Sequence, residues 1–301
     1  MTALRLSLLF LLSFYALSAQ TRYIDPVFSD ASMRTYNYAI KDKDTLKLDI
    51  YEPVGDSIKK RPLMVLVHGG GFYSGSRNES YLISMAKNIA KKGYNVASID
   101  YRLTQEHRDV SCGTPQNEIF QVYRRGAQDV LDALFYLTKY KKEFKIDASK
   151  IILAGSSAGA ETILNIAYNR KLMSSLSRHK RIKIAAVFSI SGAIFDLNAI
   201  KKDNAIPGAF YHGENDRVVP YSKGAHHSCT VFQKGFFILE GSKQITNKLA
   251  NLNASFLLYT YKGRGHDVFN LPNKDYHQAF LFFKDVLFDN KFYQGRIRKN
   301  F

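Results

Sequence analysis

The sequence predicts an α/β protein, with a mostly parallel sheet covered by helices on both faces. Three observations carry this expectation. Short apolar runs alternate along the chain with longer segments of helical period. Several of the short runs are apolar at nearly every position, as strands buried on both faces are. Strand and helix patterns also follow one another in turn, the order that builds crossover units. The 301 residues are 46% hydrophobic and 23% charged, which gives a large core and too little charge for a disordered chain.

The chain opens MTALRLSLLFLLSFYALSAQ. Arg5 precedes an apolar run from Leu6 to Leu17, and the small residues Ala16, Ser18 and Ala19 sit at its end. A basic start, an apolar middle and a small-residue zone have the shape of a secretory signal. The run is shorter than the ~20 residues that span a bilayer. We therefore expect a signal peptide over 1–19, cut between Ser18 and Thr21, and one domain over 20–301, secreted or periplasmic. A buried strand or an uncleaved anchor is the alternative reading of the run. No later stretch is long and apolar enough for a stable membrane span, and nothing in the pattern specifies an oligomeric state.

In the domain, LKLDIYEP (46–53) alternates apolar and polar as a half-buried strand does. PLMVLVHGG (62–70) is continuously apolar before its glycines. Further strands are expected at 94–101, 150–155, 182–191, 208–216 and 255–263. Between them, Ala127, Val130, Leu131 and Leu134 mark one face of a helix within 124–140, and Phe280, Phe283 and Leu287 mark a last helix. Two long connections, 102–120 and 217–250, follow strands. In a parallel sheet both emerge at the carboxyl edge, where such folds bind ligands.

GSSAG (155–159) places Ser157 between the strand KIILAG and the helix pattern AGAETILNIAY. A serine on so tight a strand-to-helix turn has an exposed hydroxyl and a strained backbone. Small residues at 155 and 159 let the turn close. HGGG (68–71) ends another strand. Its glycines leave backbone N–H groups free to approach a developing oxyanion, so Gly70 and Gly71 are the expected donors, joined by Ala158. His68 is expected to pin this glycine loop. A nucleophilic serine needs a base and an orienting acid. His266, in YKGRGHDVF, and Asp216, in HGENDRVVP, each follow a late strand and so share the carboxyl edge with Ser157. Glu214 is the competing acid, and Asp267 is badly placed beside His266. His107, His179 and His212 are expected to be packed or surface residues, and Glu161 to be favourable charge at a helix start.

On HGGG (68–71), DYRL (100–103), GSSAG (155–159), HGENDRVVP (212–220) and GRGH (263–266), in this order, the sequence resembles the α/β-hydrolase superfamily, and within it the carboxylesterase and hormone-sensitive-lipase-like group. The resemblance implies the α/β-hydrolase fold with an eight-stranded, mostly parallel sheet. It also implies a serine carboxylesterase acting through an acyl-enzyme with no metal or organic cofactor. The implied substrate is a small-molecule or polysaccharide-linked ester. Two departures stand out. Ser156 occupies the place where many relatives carry Asp or Glu, and residues 21–61 read as strands where capped relatives have a helical cap. A serine peptidase or amidase on the same fold, or a non-catalytic binding protein, are the alternatives.

Cys112 and Cys229 fall one in each long connection. In an exported chain a bridge would tie the two together, although spacing alone leaves free thiols equally open. His226, His227 and Cys229 raise a metal site, but neighbouring side chains rarely converge on one ion, and none is expected. The formal charge is +17. Its clusters, at 139–145, 178–183 and 291–299, carry no stacking array or phosphate-cradling pattern, so no nucleic-acid partner is expected.

Overall fold

The structure, a computed structural model, describes residues 21–104, 110–269 and 271–300. The expected signal segment 1–19 and His107 lie outside the described residues. The strands are β1 (Ala31–Lys41), β2 (Asp44–Pro53), β3 (Arg61–Val67), β4 (Asn95–Ile99), β5 (Ile146–Ser156), β6 (Ala186–Ile190), β7 (Ala193–Ile194), β8 (Gly208–Gly213), β9 (Lys223–Ala225), β10 (Ile238–Gly241), β11 (Phe256–Tyr261) and β12 (Gln294–Lys299). The main sheet runs β1-β2-β4-β3-β5-β6-β8-β11-β12. β1 pairs antiparallel with β2, and β2 with β4. All other neighbours in it are parallel.

Five longer helices cover the sheet: α1 (Ser80–Ala90), α2 (Gln116–Lys139), α3 (Ala158–Tyr168), α4 (Ser242–Asn251) and α5 (Asn273–Phe283). β3 shows why its sequence has no alternation, since all seven of its residues are buried. Leu63, Val65 and Val67 face a core shared with α2, α3 and α4, while Met64 and Leu66 face a second core shared with α1 and α5. Each such aliphatic side chain contributes about 1.5–3 kcal/mol by leaving water, an upper estimate because the unfolded chain is itself partly collapsed.

The described residues correct the expected eight strands to nine. The basic tail, read as solvated surface, forms β12 parallel to β11. Its residues alternate exposed and half-buried, and the Arg296 guanidinium lies 4.8 Å from the Phe256 ring centre. A strand rich in Lys and Arg suits an outer edge, where charge discourages pairing with another chain. α2 begins at Gln116, ahead of the expected range, because the polar residues of its first turn hide a buried face that already includes Ile119 and Tyr123. The connection 217–250 is ordered too, holding α4 and two strands of a small β7-β10-β9 sheet.

Cys112 and Cys229 are joined by a disulfide across 117 residues of sequence, with their Cα atoms 5.4 Å apart. It ties the approach to α2 to the small sheet. Closing a loop of that length contributes about 4–5 kcal/mol in the chain-entropy account.

At the base of the sheet, Asp56 accepts from Arg22 at 2.5 Å and from Arg61 at 2.6 Å, and Arg61 is buried. Burial alone would raise the Asp56 pKa. The bonds from the two guanidinium groups outweigh it and hold the carboxyl at about 2. A carboxyl depressed on folding contributes stability above its unfolded pKa and loses it as pH falls through the folded value. The urea midpoint should therefore fall between about pH 4 and pH 2. Asp56→Asn should lower the midpoint at pH 5 and flatten that fall; an unchanged slope would contradict the assignment.

Candidate active site

Ser157 stands directly after β5 and directly before α3 with φ 51° and ψ −126°. This is a left-handed conformation that a side-chain-bearing residue adopts only under constraint. The constraint is visible in the neighbouring glycines. A Cβ on Gly155 would lie 2.6 Å from the Gly159 carbonyl carbon, and one on Gly159 would lie 2.2 Å from the Val67 oxygen. The two glycines close the turn on each other and on the end of β3. The Ser157 N–H donates to the Ile190 oxygen at 2.9 Å, anchoring the turn to β6.

The structure brings the three expected side chains together. Ser157 Oγ and His266 Nε2 are 2.8 Å apart, and His266 Nδ1 and Asp216 Oδ2 are 2.7 Å apart. Asp216 follows β8 and His266 follows β11. The Asp216 Oδ1 accepts the N–H groups of Val218 and Val219 at 2.9 Å each. The competing acids are engaged elsewhere: Glu214 pairs with Arg298 of β12 at 2.5 Å, and Asp267 with Arg264 at 2.7 Å.

The glycine loop runs beside the serine. Gly70 and Gly71 have φ of 99° and 60°, and a Cβ on Gly70 would meet the Ser74 oxygen at 2.2 Å. The amides of Gly70, Gly71 and Ala158 donate to no backbone carbonyl among the described residues. His68 is buried, bonds the Gly69 oxygen through Nδ1 at 2.8 Å and stacks on Tyr101 at 4.3 Å. Tyr101 in turn donates to the oxygens of His68 and Gly69. Burial lowers the His68 pKa, which favours the neutral ring in this supporting position.

Two histidines expected to be merely packed differ in consequence. His179 is buried against Asp132 at 2.7 Å, with Ser174 Oγ on its other ring nitrogen at 2.7 Å, and serves the fold. His212 is fully buried on β8, and its Nε2 lies 3.3 Å from Asp216 Oδ2 and 3.0 Å from the Val219 oxygen. Both neighbours accept, so Nε2 carries the proton. Its Nδ1 meets Ser242 Oγ, at the start of α4, at 2.8 Å. The signal for it lay in parity: His212 falls on the same side of β8 as buried Phe210. Burial by itself would raise the Asp216 pKa, but the bonds from His212 and then His266 hold the carboxyl well below the usual range.

A cleft of about 850 Å3 opens over Ser157. Glu161 has its expected place and a further environment besides. It does lie in the first turn of α3, but its carboxyl is buried beside the cleft and accepts from Tyr123 Oη at 2.8 Å. A helix-start charge is ordinarily left in water; this one follows the elbow so closely that its side chain turns under the site. Cys229 is held in the disulfide and is unavailable as a thiolate ligand, and no cluster of three metal-ligating side chains occurs among the described residues.

A sheet of this strand order, with a serine on a strained turn after β5 and a histidine–carboxylate pair at the ends of β11 and β8, is an α/β-hydrolase. Within that class, the chain belongs to the BD-FAE family, whose profile matches residues 48–206, more than half of its length. The match contains the glycine loop and Ser157, while Asp216 and His266 come from beyond it.

Esterase 2 of the planctomycete Thermogutta terrifontis has the same fold. Its propionate-bound form superposes with a TM-score of 0.63 over 86% of this chain and 95% of that one, at 18% identity. Its paraoxon-phosphorylated form gives 0.62 over 88% and 96%, at 17% identity. Among curated proteins, fumonisin B1 esterase of Sphingopyxis macrogoltabida is 31% identical over 40% of this chain, and probable carboxylesterase 6 of Arabidopsis thaliana is 31% identical over 37%. The aligned regions span 22% and 30% of those two proteins' own lengths. The resemblance to the carboxylesterase group thus holds at the level of family and fold.

His212→Leu should move the titration of Asp216 upward, because the first of its two side-chain bonds is lost. The carboxyl carbon shift of Asp216, followed by NMR from low pH, reads this directly. An unchanged titration would show that His212 only fills space.

Proposed function

We propose that the protein is a secreted serine carboxylesterase that hydrolyses carboxylic esters through an acyl-enzyme. Its substrates are short acyl esters or acyl side chains of a polysaccharide. The continuous hydrogen-bonded line from Ser157 through His266 to Asp216, at 2.8 and 2.7 Å, carries the reading.

The steps follow from that geometry. His266 Nε2 takes the proton of Ser157 Oγ as the oxygen attacks the ester carbonyl. The imidazolium that forms is stabilised by the ionised Asp216, which the neighbouring amides and His212 keep charged. The N–H groups of Gly70, Gly71 and Ala158 receive the carbonyl oxygen as it becomes negative, already aimed and needing no reorientation. The proton passes from His266 to the departing alkoxide, leaving an acyl group on Ser157. Water then gives a proton to His266 as its oxygen attacks the acyl carbon; the bond to Ser157 Oγ breaks, His266 returns the proton to that oxygen, and the acid leaves. The support for an ester substrate is the esterase character named for the relatives above.

Export is supported by the apolar N-terminal run and by the Cys112–Cys229 bridge, which suits an oxidising compartment. Expressed with its N-terminus intact in a secreting host, the protein should be recovered outside the cytoplasm with a mass that starts between Ala19 and Thr21. A full-length cytoplasmic product would overturn the export reading.

Activity is tested with p-nitrophenyl esters from acetyl to octanoyl, alongside acetylated and feruloylated oligosaccharides. Ser157→Ala should lose about 10⁴-fold or more in kcat with the fold retained. A fluorophosphonate probe should label Ser157. Full turnover in Ser157→Ala would sink the mechanism. Cleavage of an amino-peptide panel with no ester turnover would favour the amidase alternative.

A further inference from the structure

We propose that Glu161, held by Tyr123 beside His226, forms a polar subsite that accepts a hydrogen-bond donor carried on one side of the substrate ester. The donor is a hydroxyl or an ammonium. This deepens the esterase reading and rests on it.

The lining of the cleft draws on both cores that flank the sheet, which divides it into two arms. On one side of Ser157 it is walled by Leu82, Met85, Phe188 and Tyr276, which belong to or pack against the core shared with α1 and α5. This arm is apolar and aromatic. On the other side the lining passes Phe72 and Val110, of the opposite core, and reaches Glu161 and His226. An ester bound with its carbonyl at Ser157 extends in two directions, so its two halves meet chemically unlike walls.

Glu161 is 1% exposed, and the part it shows lines the cleft. Its Oε1 is committed: it accepts from Tyr123 Oη at 2.8 Å and lies 3.5 Å from His226 Nε2. Tyr123 is itself fully buried, and its Oη is 3.4 Å from the same His226 nitrogen. The carboxyl is thereby fixed in orientation. Its Oε2 has no hydrogen-bond partner among the described residues. This oxygen is not among the buried side-chain atoms left without a partner, so it reaches open space instead of being sealed in the core. Glu161 lines the cleft, so a donor carried by the substrate can take the place of water on this carboxyl. The disulfide supports the arrangement, because Cys229 lies close after His226 on the loop that completes this wall.

The proposal predicts a selectivity that helix-start charge alone would not produce. Two matched series separate the sides of the ester: p-nitrophenyl 3-hydroxybutanoate against its 3-methoxy analogue, and 2-hydroxyethyl acetate against 2-methoxyethyl acetate. With 2-(dimethylamino)ethyl acetate added, an ammonium can be distinguished from a hydroxyl. The wild-type protein should favour the donor-bearing member of one series by about tenfold or more in kcat/KM.

Glu161→Gln keeps the shape of the side chain. Its amide oxygen can still accept from Tyr123, which turns the NH2 toward the cleft and replaces an acceptor by a donor. The preference should fall to about one or invert toward the methoxy ester. Tyr123→Phe, which leaves the carboxyl but frees it to rotate, should reduce the preference part of the way. Equal loss on both members of each pair, or a preference that survives Glu161→Gln, would overturn the subsite while leaving the esterase intact. Absence of turnover on every ester would instead overturn the esterase reading, and this one with it.

Discussion

The left-handed backbone of Ser157 is the constraint on which the rest of the site depends. Holding it costs on the order of 1–3 kcal/mol, which the surrounding structure must supply. The supply is visible. β5 is clamped between β3 and β6, the Ser157 amide is bonded to β6, and two glycines let α3 start within contact of the β3 terminus. Since β3 also ends in the glycine loop, one close approach sets both the serine and the expected oxyanion donors. The turn cannot relax without separating them.

The other half of the line is secured by a different means. Asp216 sits on a loop, but both of its oxygens are spoken for. One takes two backbone amides; the other lies between His212 and His266. His212 is in turn fixed by Ser242 at the head of α4. The acid is thus connected through buried polar contacts to the helix that packs under β8. Ordered hydrogen bonds in a region screened from water are strong when complete and expensive when broken, so this network favours one arrangement of the loop.

Much of this was legible in the sequence because parallel strands send every βα connection to one edge. Once 150–155, 208–216 and 255–263 read as strands, Ser157, Asp216 and His266 had to be neighbours. What was not legible has a common cause. Periodicity reports which side chains are buried; it does not report what they meet. His212 and Glu161 read as a packed ring and a helix-start charge, and both descriptions are true, yet neither says that Asp216 or the cleft lies beyond. β12 was hidden because its Lys and Arg residues suit solvent as well as an edge strand. The pairing of Cys112 with Cys229 depended on the folding of 217–250, whose short strands carry too few residues to show a period.

The division of the cleft between the two cores has a consequence for how such a protein can change. Each arm draws its wall from a separate core, one built with α1 and α5 and the other with α2, α3 and α4. A substitution confined to the aromatic wall leaves in place the residues that hold the carboxyl of Glu161, Tyr123 and His226, and the reverse holds as well. The two walls can therefore vary separately. Either half of the cleft can be remade by single steps that leave Ser157 untouched.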